Sequence, residues 1–327
     1  MSSSQPLFAN MTAAEMEQAI KETQQGCYPY TSLLTPSYDY VPSFAAGITF
    51  CVLFGIPFFY HTFRSIQLRK ATSILFALGA LTELIGWASR TWAAKCPYNR
   101  DAFLSQIVTL IIAPVFFSAA LYVLLGKLIS DMGRASSILS PKWYAIVFCT
   151  CDVVSLIIQA AGGAMASMAD TDEEQDRGTH IMEGGIVFQL ATMTLFGVLM
   201  GDFARRIMSR RTGLRDSVTP SLKLILVAML VSFVMIYIRS IYRTIELAQG
   251  WRGYLITHEA YFIALDAATM VIAVAVFIPI DPAVMWFARK YAPAKQSMSA
   301  EASDIEVAMA PAPYNPHASY GQAAARY

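Results

Sequence analysis

The chain has 327 residues, 56% of them hydrophobic and only 14% charged, with a formal net charge of +1. That balance excludes an ordinary water-soluble domain of this length. The surroundings to consider are therefore lipid, whose hydrocarbon core of roughly 30 Å takes about 20 mostly apolar residues to cross.

The chain opens with MSSSQPLFANMTAAEMEQ, which lacks the apolar stretch of a secretory signal, so the first span is expected to direct its own insertion. Asn10-Met11-Thr12 is an N-glycosylation sequon, compatible with a used site or with a chance match. Seven apolar runs follow, near Val41 to Phe63, Ala71 to Trp92, Leu104 to Ile129, Trp143 to Met168, His180 to Ala204, Leu222 to Ile245 and His258 to Phe287. Pro57, Pro114, Gly162-Gly163 and Pro279 interrupt them, which membrane helices tolerate where neighbours re-satisfy the backbone. Period-2 patterning is absent, so a barrel is excluded and an all-α, seven-transmembrane-helix bundle is predicted. It occupies residues 41–288, between an extracytoplasmic segment, 1–40, and a tail, 289–327, whose Ala, Pro and Ser richness from residue 297 reads as disordered.

The loops set the orientation. Those after the first, third and fifth runs, with the start of the tail, carry fifteen lysines and arginines; the opposite segments carry five, Lys21, Lys95, Arg100, Arg177 and Arg252. The positive-inside rule then places the N-terminus outside and the C-terminus in the cytoplasm. The acidic loop DTDEEQD, Asp170 to Asp176, agrees. On this topology Cys27 and Cys96 share the oxidising side, where a disulfide persists; a bridge and two free thiols are equally compatible with the placement. Cys51, Cys149 and Cys151 lie within spans and read as small packing residues.

Charged residues inside the runs carry the functional signal. Span two holds Glu83 and Arg90, seven residues apart on one helical face, and span four holds Asp152 and Gln159 at the same spacing. Span five adds Gln189, span six Arg239, Arg243 and Glu246, and span seven Glu259 and Asp266, again seven apart. A charge deep in a span costs roughly 2.5 to 3.5 kcal/mol on insertion scales, so something must offset it. The bland reading is a set of structural ion pairs, with arginines near helix ends snorkelling to the interface. The functional reading is a polar cavity biased to the outer half of the membrane and formed by spans two, four, six and seven.

The stretches TELIGWASR, CDVVSLIIQAAGGAM, GGIVFQLATM and IRSIYRTIELAQGWRGYLITHEAYFIALDAATM resemble, in order, the fungal lipid-translocating exporter family of aminocholesterol-resistance and sphingoid-base-resistance proteins. The resemblance spans roughly Val41 to Trp286. It implies movement of amphiphiles such as sphingoid long-chain bases, phospholipids or sterol-like toxins across a membrane, most readily the plasma membrane, and tolerance to drugs or stress. Carried over by motif position, it implicates Glu83, Gly86, Arg90, Asp152, Gln159, Gly163, Gln189, Arg239, Arg243, Glu246, Gly250, Glu259 and Asp266. Trp87 stands where the family often has tyrosine. A cationic amine would sit against Glu83, Glu259 and Asp266, whereas a phosphate would call on Arg90, Arg239 and Arg243.

A seven-span receptor or sensor of an amphiphile is the alternative, although ISDMGRA after span three and PIDPAVMW near the end of span seven match receptor signatures poorly. Span seven has no lysine for a retinal Schiff base. The four histidines, His61, His180, His258 and His317, are too dispersed along the topology for a zinc site, so neither metal, cofactor nor enzyme activity is expected. No GxxxxGK[ST] loop marks nucleotide binding. RRIMSRRTGLR, Arg205 to Arg215, is explained by the positive-inside rule, so nucleic acid is not an expected partner either.

Overall fold

The computed structural model describes residues 12–31, 36, 38–133, 136–169, 171–209, 219–250 and 253–285. Asn10 and the tail therefore lie outside the described residues. All regular elements among the described residues are helical. A short α1 (Ala13–Gln25) precedes α2 (Phe44–Leu68), α3 (Ala71–Lys95), α4 (Arg100–Met132), α5 (Pro141–Ser167), α6 (Asp172–Met208) and α7 (Pro220–Ala248). After a one-turn α8 (Tyr254–Thr257) come α9 (Glu259–Tyr261), a π-helical turn (Phe262–Ala267) and α10 (Ala268–Ala275) without interruption.

Side-chain caps explain several starts. The Ser43 hydroxyl accepts from the Ala46 N–H (3.3 Å), Asn99 Oδ1 from the Ala102 N–H (2.9 Å), Thr171 from Glu174 (3.3 Å) and Thr219 from Leu222 (3.4 Å). Each satisfies a donor that the first helical turn leaves free. The Thr171 cap corrects one expectation: most of the acidic DTDEEQD stretch is the first turn of α6 and not a loop.

Helices α2 to α7 are long and apolar enough to cross a membrane. Large apolar side chains such as Phe59, Phe63, Ile157 and Val198 stand exposed on their outer faces, as an integral multi-pass protein requires. The run expected as a seventh span, His258 to Phe287, is not one long helix. The π turn interrupts it near its start, and regular α-helix ends at Ala275, four residues before Pro279, which has no N–H to return to the Ala275 carbonyl.

Chain neighbours pack together, and α10 contacts α2, α4 and α7, which closes the bundle. The interior helix is α4, which touches α1, α3, α5, α7 and α10. In lipid the association of helices is driven by close packing and polar links, since the surroundings are as apolar as the interface. The α5–α6 seam shows the first of these. A Cβ at Gly162 would lie 2.4 Å from the Met182 nitrogen, and one at Gly178 would lie 2.4 Å from the Ala166 nitrogen, so the two backbones meet where only glycine fits. Gly163, next door, would meet nothing nearer than Met182 Sδ at 3.5 Å. Gly162→Ala is therefore expected to lower stability by about 1–3 kcal/mol and Gly163→Ala to change it little, as read by thermal unfolding of the purified proteins.

At the opposite end from the α2–α3 link, Cys27 and Cys96 are joined by a disulfide. Around it Asn99 Nδ2 donates to the Gln25 and Gly26 carbonyls (both 3.3 Å), and the Tyr98 hydroxyl donates to the Thr31 carbonyl and accepts from its N–H (both 2.8 Å). These bonds fasten the N-terminal segment over the α3–α4 turn. Cys27→Ser is expected to cost about 2 kcal/mol in the same unfolding assay, the low end for a bridge, because α2 and α3 already limit how far apart the two cysteines move.

Candidate functional site

The first polar cluster gathers at the start of α2 and the end of α3. Arg90, 1% exposed, donates through Nη2 to Glu259 Oε1 (2.8 Å) and to the Tyr40 hydroxyl (2.7 Å), and through Nη1, at 3.5 Å, to Gln106 Oε1. Its guanidinium also lies over the ring of Phe262, 4.6 Å from the centroid, with Tyr38 and Trp87 within 6 Å. The Tyr38 hydroxyl donates to the same Gln106 oxygen at 2.6 Å. Glu259 in turn accepts from the Ser43 N–H with both oxygens, at 3.0 and 3.2 Å. That N–H lies at the positive end of α2, so Glu259 joins α2, α3 and α9 through one carboxylate. Burial pushes the Tyr38 and Tyr40 phenols above their usual range although Arg90 pulls both down, so both stay neutral donors.

Tyr38, Asp39, Tyr40, Arg90 and Gln106 form one side of a cavity of about 300 Å³, and Arg243, Glu246 and Phe262 complete it. Arg243 Nη1 donates to Glu246 Oε2 at 2.6 Å, while the Tyr242 hydroxyl occupies Oε1 at 2.9 Å. Both arginines of this cup thus already face a carboxylate. Asp39, exposed and held at a positive φ of 59°, has no ion-pair partner among the described residues. Asp39 and Glu246 match the two arginines in the lining, and Glu259, behind Arg90, adds a third carboxylate, so around the cup the acids outnumber the arginines by one.

A second cluster is buried deeper. Arg239 Nε lies 2.9 Å from Asp266 Oδ1, both side chains almost wholly enclosed, and Glu83 on α3 shares the field of both. The Arg239 and Asp266 atoms are close without hydrogen-bond alignment, and both oxygens of Glu83 and of Asp266 lack an aligned donor. Arg239 Nη2 points elsewhere, donating 2.5 Å to the Leu110 carbonyl. The reason lies four residues on, at Pro114: proline has no N–H to close the helical bond to Leu110, and the arginine supplies the missing donor.

The ten site residues expected from the sequence therefore divide. Arg90, Arg243 and Glu246 line the cup, with Glu259 behind Arg90. Gln159, Gln189, Arg239 and Arg243 line a smaller space of about 20 Å³, room for about one water, where Gln159 Nε2 donates to Gln189 Oε1 at 3.0 Å. Glu83 and Asp266 sit behind Arg239 and line neither space. Asp152 stands apart on α5, against Tyr122 of α4. The sequence reading missed Tyr38, Asp39, Tyr40 and Gln106. A tyrosine pair just before an apolar run is an interfacial signal, and Gln106 is an isolated amide in an apolar run, so both were readable. Among the described residues no group of three or more His, Cys, Asp or Glu is placed to hold a metal ion.

The chain is similar to known proteins. The family described as RTA1 like protein matches residues 76–290. The chain is 35% identical over 266 residues to the sphingoid long-chain base transporter RSB1 of Saccharomyces cerevisiae, covering 71% of this chain and 70% of the relative. It is 28% identical over 276 residues to Protein RTA1 of the same yeast, with 76% and 86% covered. Protoporphyrin uptake protein 1, also of Saccharomyces cerevisiae, is 26% identical over 276 residues, with 73% and 90% covered. No solved structure matches the chain.

Proposed function

The chain belongs to the RTA1-like protein family, and from that premise we propose that it moves a cationic amphiphile of the sphingoid-base type across a fungal plasma membrane. In this reading the chain crosses seven times, N-terminus outside and C-terminus in the cytoplasm, with residues 259–275 and the turns after them as the last crossing. The protein acts as a carrier and not as an enzyme.

The observation that carries the cargo class is the charge of the cup. Arg90 and Arg243 are already met by Glu259 and Glu246, so a phosphate would have to displace a carboxylate from each. Asp39 is the acid left over, and an ammonium group with neighbouring hydroxyls finds there one unmet carboxylate, two phenols and an amide. The mid-membrane pair Arg239–Asp266, with Glu83, serves the fold in this view by fixing α3, α4, α7 and the π turn to one another.

The test is release of a labelled sphingoid base, beside a labelled phospholipid, from proteoliposomes holding wild-type or Asp39→Asn protein. Release of the base that falls roughly tenfold in Asp39→Asn, about the worth of one charge-assisted hydrogen bond, supports the reading. Release of the phospholipid alone would assign the cup to phosphate. Binding of the base with no release would make the protein a sensor.

A further inference from the structure

A larger apolar groove of about 940 Å³ runs beside the cup, between α4 and α5. The two spaces share Phe103, Ile107 and Ile111, one stripe of α4, together with Gln175 and Met182 of α6. That common wall lies between α4 and α6, with the polar cup on one side and the hydrocarbon-lined groove on the other. At the end nearest the α3–α4 turn, Arg100 Nη2 reaches 2.6 Å to the Ser167 carbonyl and ties the start of α4 to the end of α5. From there the groove follows α5 from Ser167 to Val153, about 20 Å at the helical rise, which is more than half the thickness of a hydrocarbon core. Its α5 wall is bulky at Val153, Leu156 and Ile157 and low from Ala160 to Ala164, where Gly163 leaves it open.

We propose that this groove seats the alkyl chain of the transported amphiphile, running past the shared α4 stripe from a polar head held in the cup. The inference rests on the translocator reading above. The shared α4 stripe argues for the chain of a bound substrate over a bulk lipid lying on the surface: a head group held among Asp39, Tyr40 and Gln106 has the groove directly beside it. The length along α5 suits a flexible single chain better than a rigid fused-ring body. Both cavities also fall near the size range of ordinary ligand pockets. Gly163 and its neighbours then set how much chain the groove accepts.

The test compares a long-chain and a short-chain homologue of the same labelled 2-amino-1,3-diol in proteoliposomes of the full-length protein. Gly163→Leu obstructs the groove where a Cβ has space, and Ala164→Leu obstructs it from the same wall. Gly184→Leu, where a Cβ meets nothing within 4 Å, lies outside the groove and is the control. Blocking room for about two methylenes should lower the long-to-short ratio of release roughly tenfold in both groove variants and leave it unchanged in the control. An unchanged ratio in Gly163→Leu and Ala164→Leu, while Asp39→Asn still impairs amine release, overturns the chain seat alone. Absence of release by wild-type protein overturns the translocator reading and the seat with it.

Discussion

Arg239→Ala is expected to lower the stability of the purified protein by about 3–5 kcal/mol and to reduce its abundance in the membrane, the cost of breaking a buried ion pair from one side. The loss has two parts. Asp266, 0% exposed, is left with no cation at 2.9 Å, and the Leu110 carbonyl loses the donor that Pro114 cannot provide. The parts separate in a cycle. Pro114→Ala restores an N–H to Leu110, so Arg239→Ala in that background should cost about 1 kcal/mol less than in the wild type. Asp266→Asn should recover part of the remainder by removing the stranded carboxylate. Thermal unfolding in detergent reads all of these, and a wild-type midpoint for Arg239→Ala would show that the pair carries no structural weight.

Glu259→Ala is expected to lower release of a sphingoid base at least tenfold, with a loss of stability smaller than that of Arg239→Ala because Glu259 is the more exposed partner of its pair. Its carboxylate is only partly enclosed, and Arg90 keeps Tyr40, Gln106 and its ring contacts when Glu259 is lost. What changes is the charge of the cup, whose single excess negative charge disappears; a tenfold fall corresponds to about 1.4 kcal/mol of lost recognition. Glu259→Gln keeps an acceptor for the Ser43 N–H and removes only the charge, so it should match Glu259→Ala in transport. Wild-type release by Glu259→Gln would show that hydrogen bonding, and not charge, makes the cup selective. Of these two arginine-linked carboxylates, Asp266 is read mainly by stability and Glu259 mainly by transport.

Much of this was legible before any coordinates. Apolar runs of membrane-spanning length gave helices, and two of the intramembrane arginines, Arg90 and Arg239, did find carboxylates on other elements. The pairing itself was not legible, and Glu259 and Asp266 show why. Seven residues apart on a regular α-helix they would share a face, but the π turn at Phe262–Ala267 takes more residues per turn, so the same seven residues no longer bring the two onto one face. One acid therefore meets Arg90 on α3 and the other Arg239 on α7. Local periodicity does not reveal a π turn. Asp152 and Gln159 part differently: Gln159 meets Gln189 of α6 and lines a space with Arg239 and Arg243, whereas Asp152 lies against Tyr122 of α4, and which neighbour each meets is decided by the whole bundle. Gln106 was readable and passed over, because a neutral amide stands out less than a charge.

The Cys27–Cys96 bridge also bears on how the protein is made. Its halves flank the first helical hairpin, so they come within reach only after α2 and α3 have both been threaded and the chain has turned back. Oxidation of that pair thus timestamps completion of the first hairpin during synthesis. A nascent chain with α3 stalled or inverted would keep two thiols on opposite sides of the bilayer, and thiol labelling could count such chains before the rest of the bundle exists.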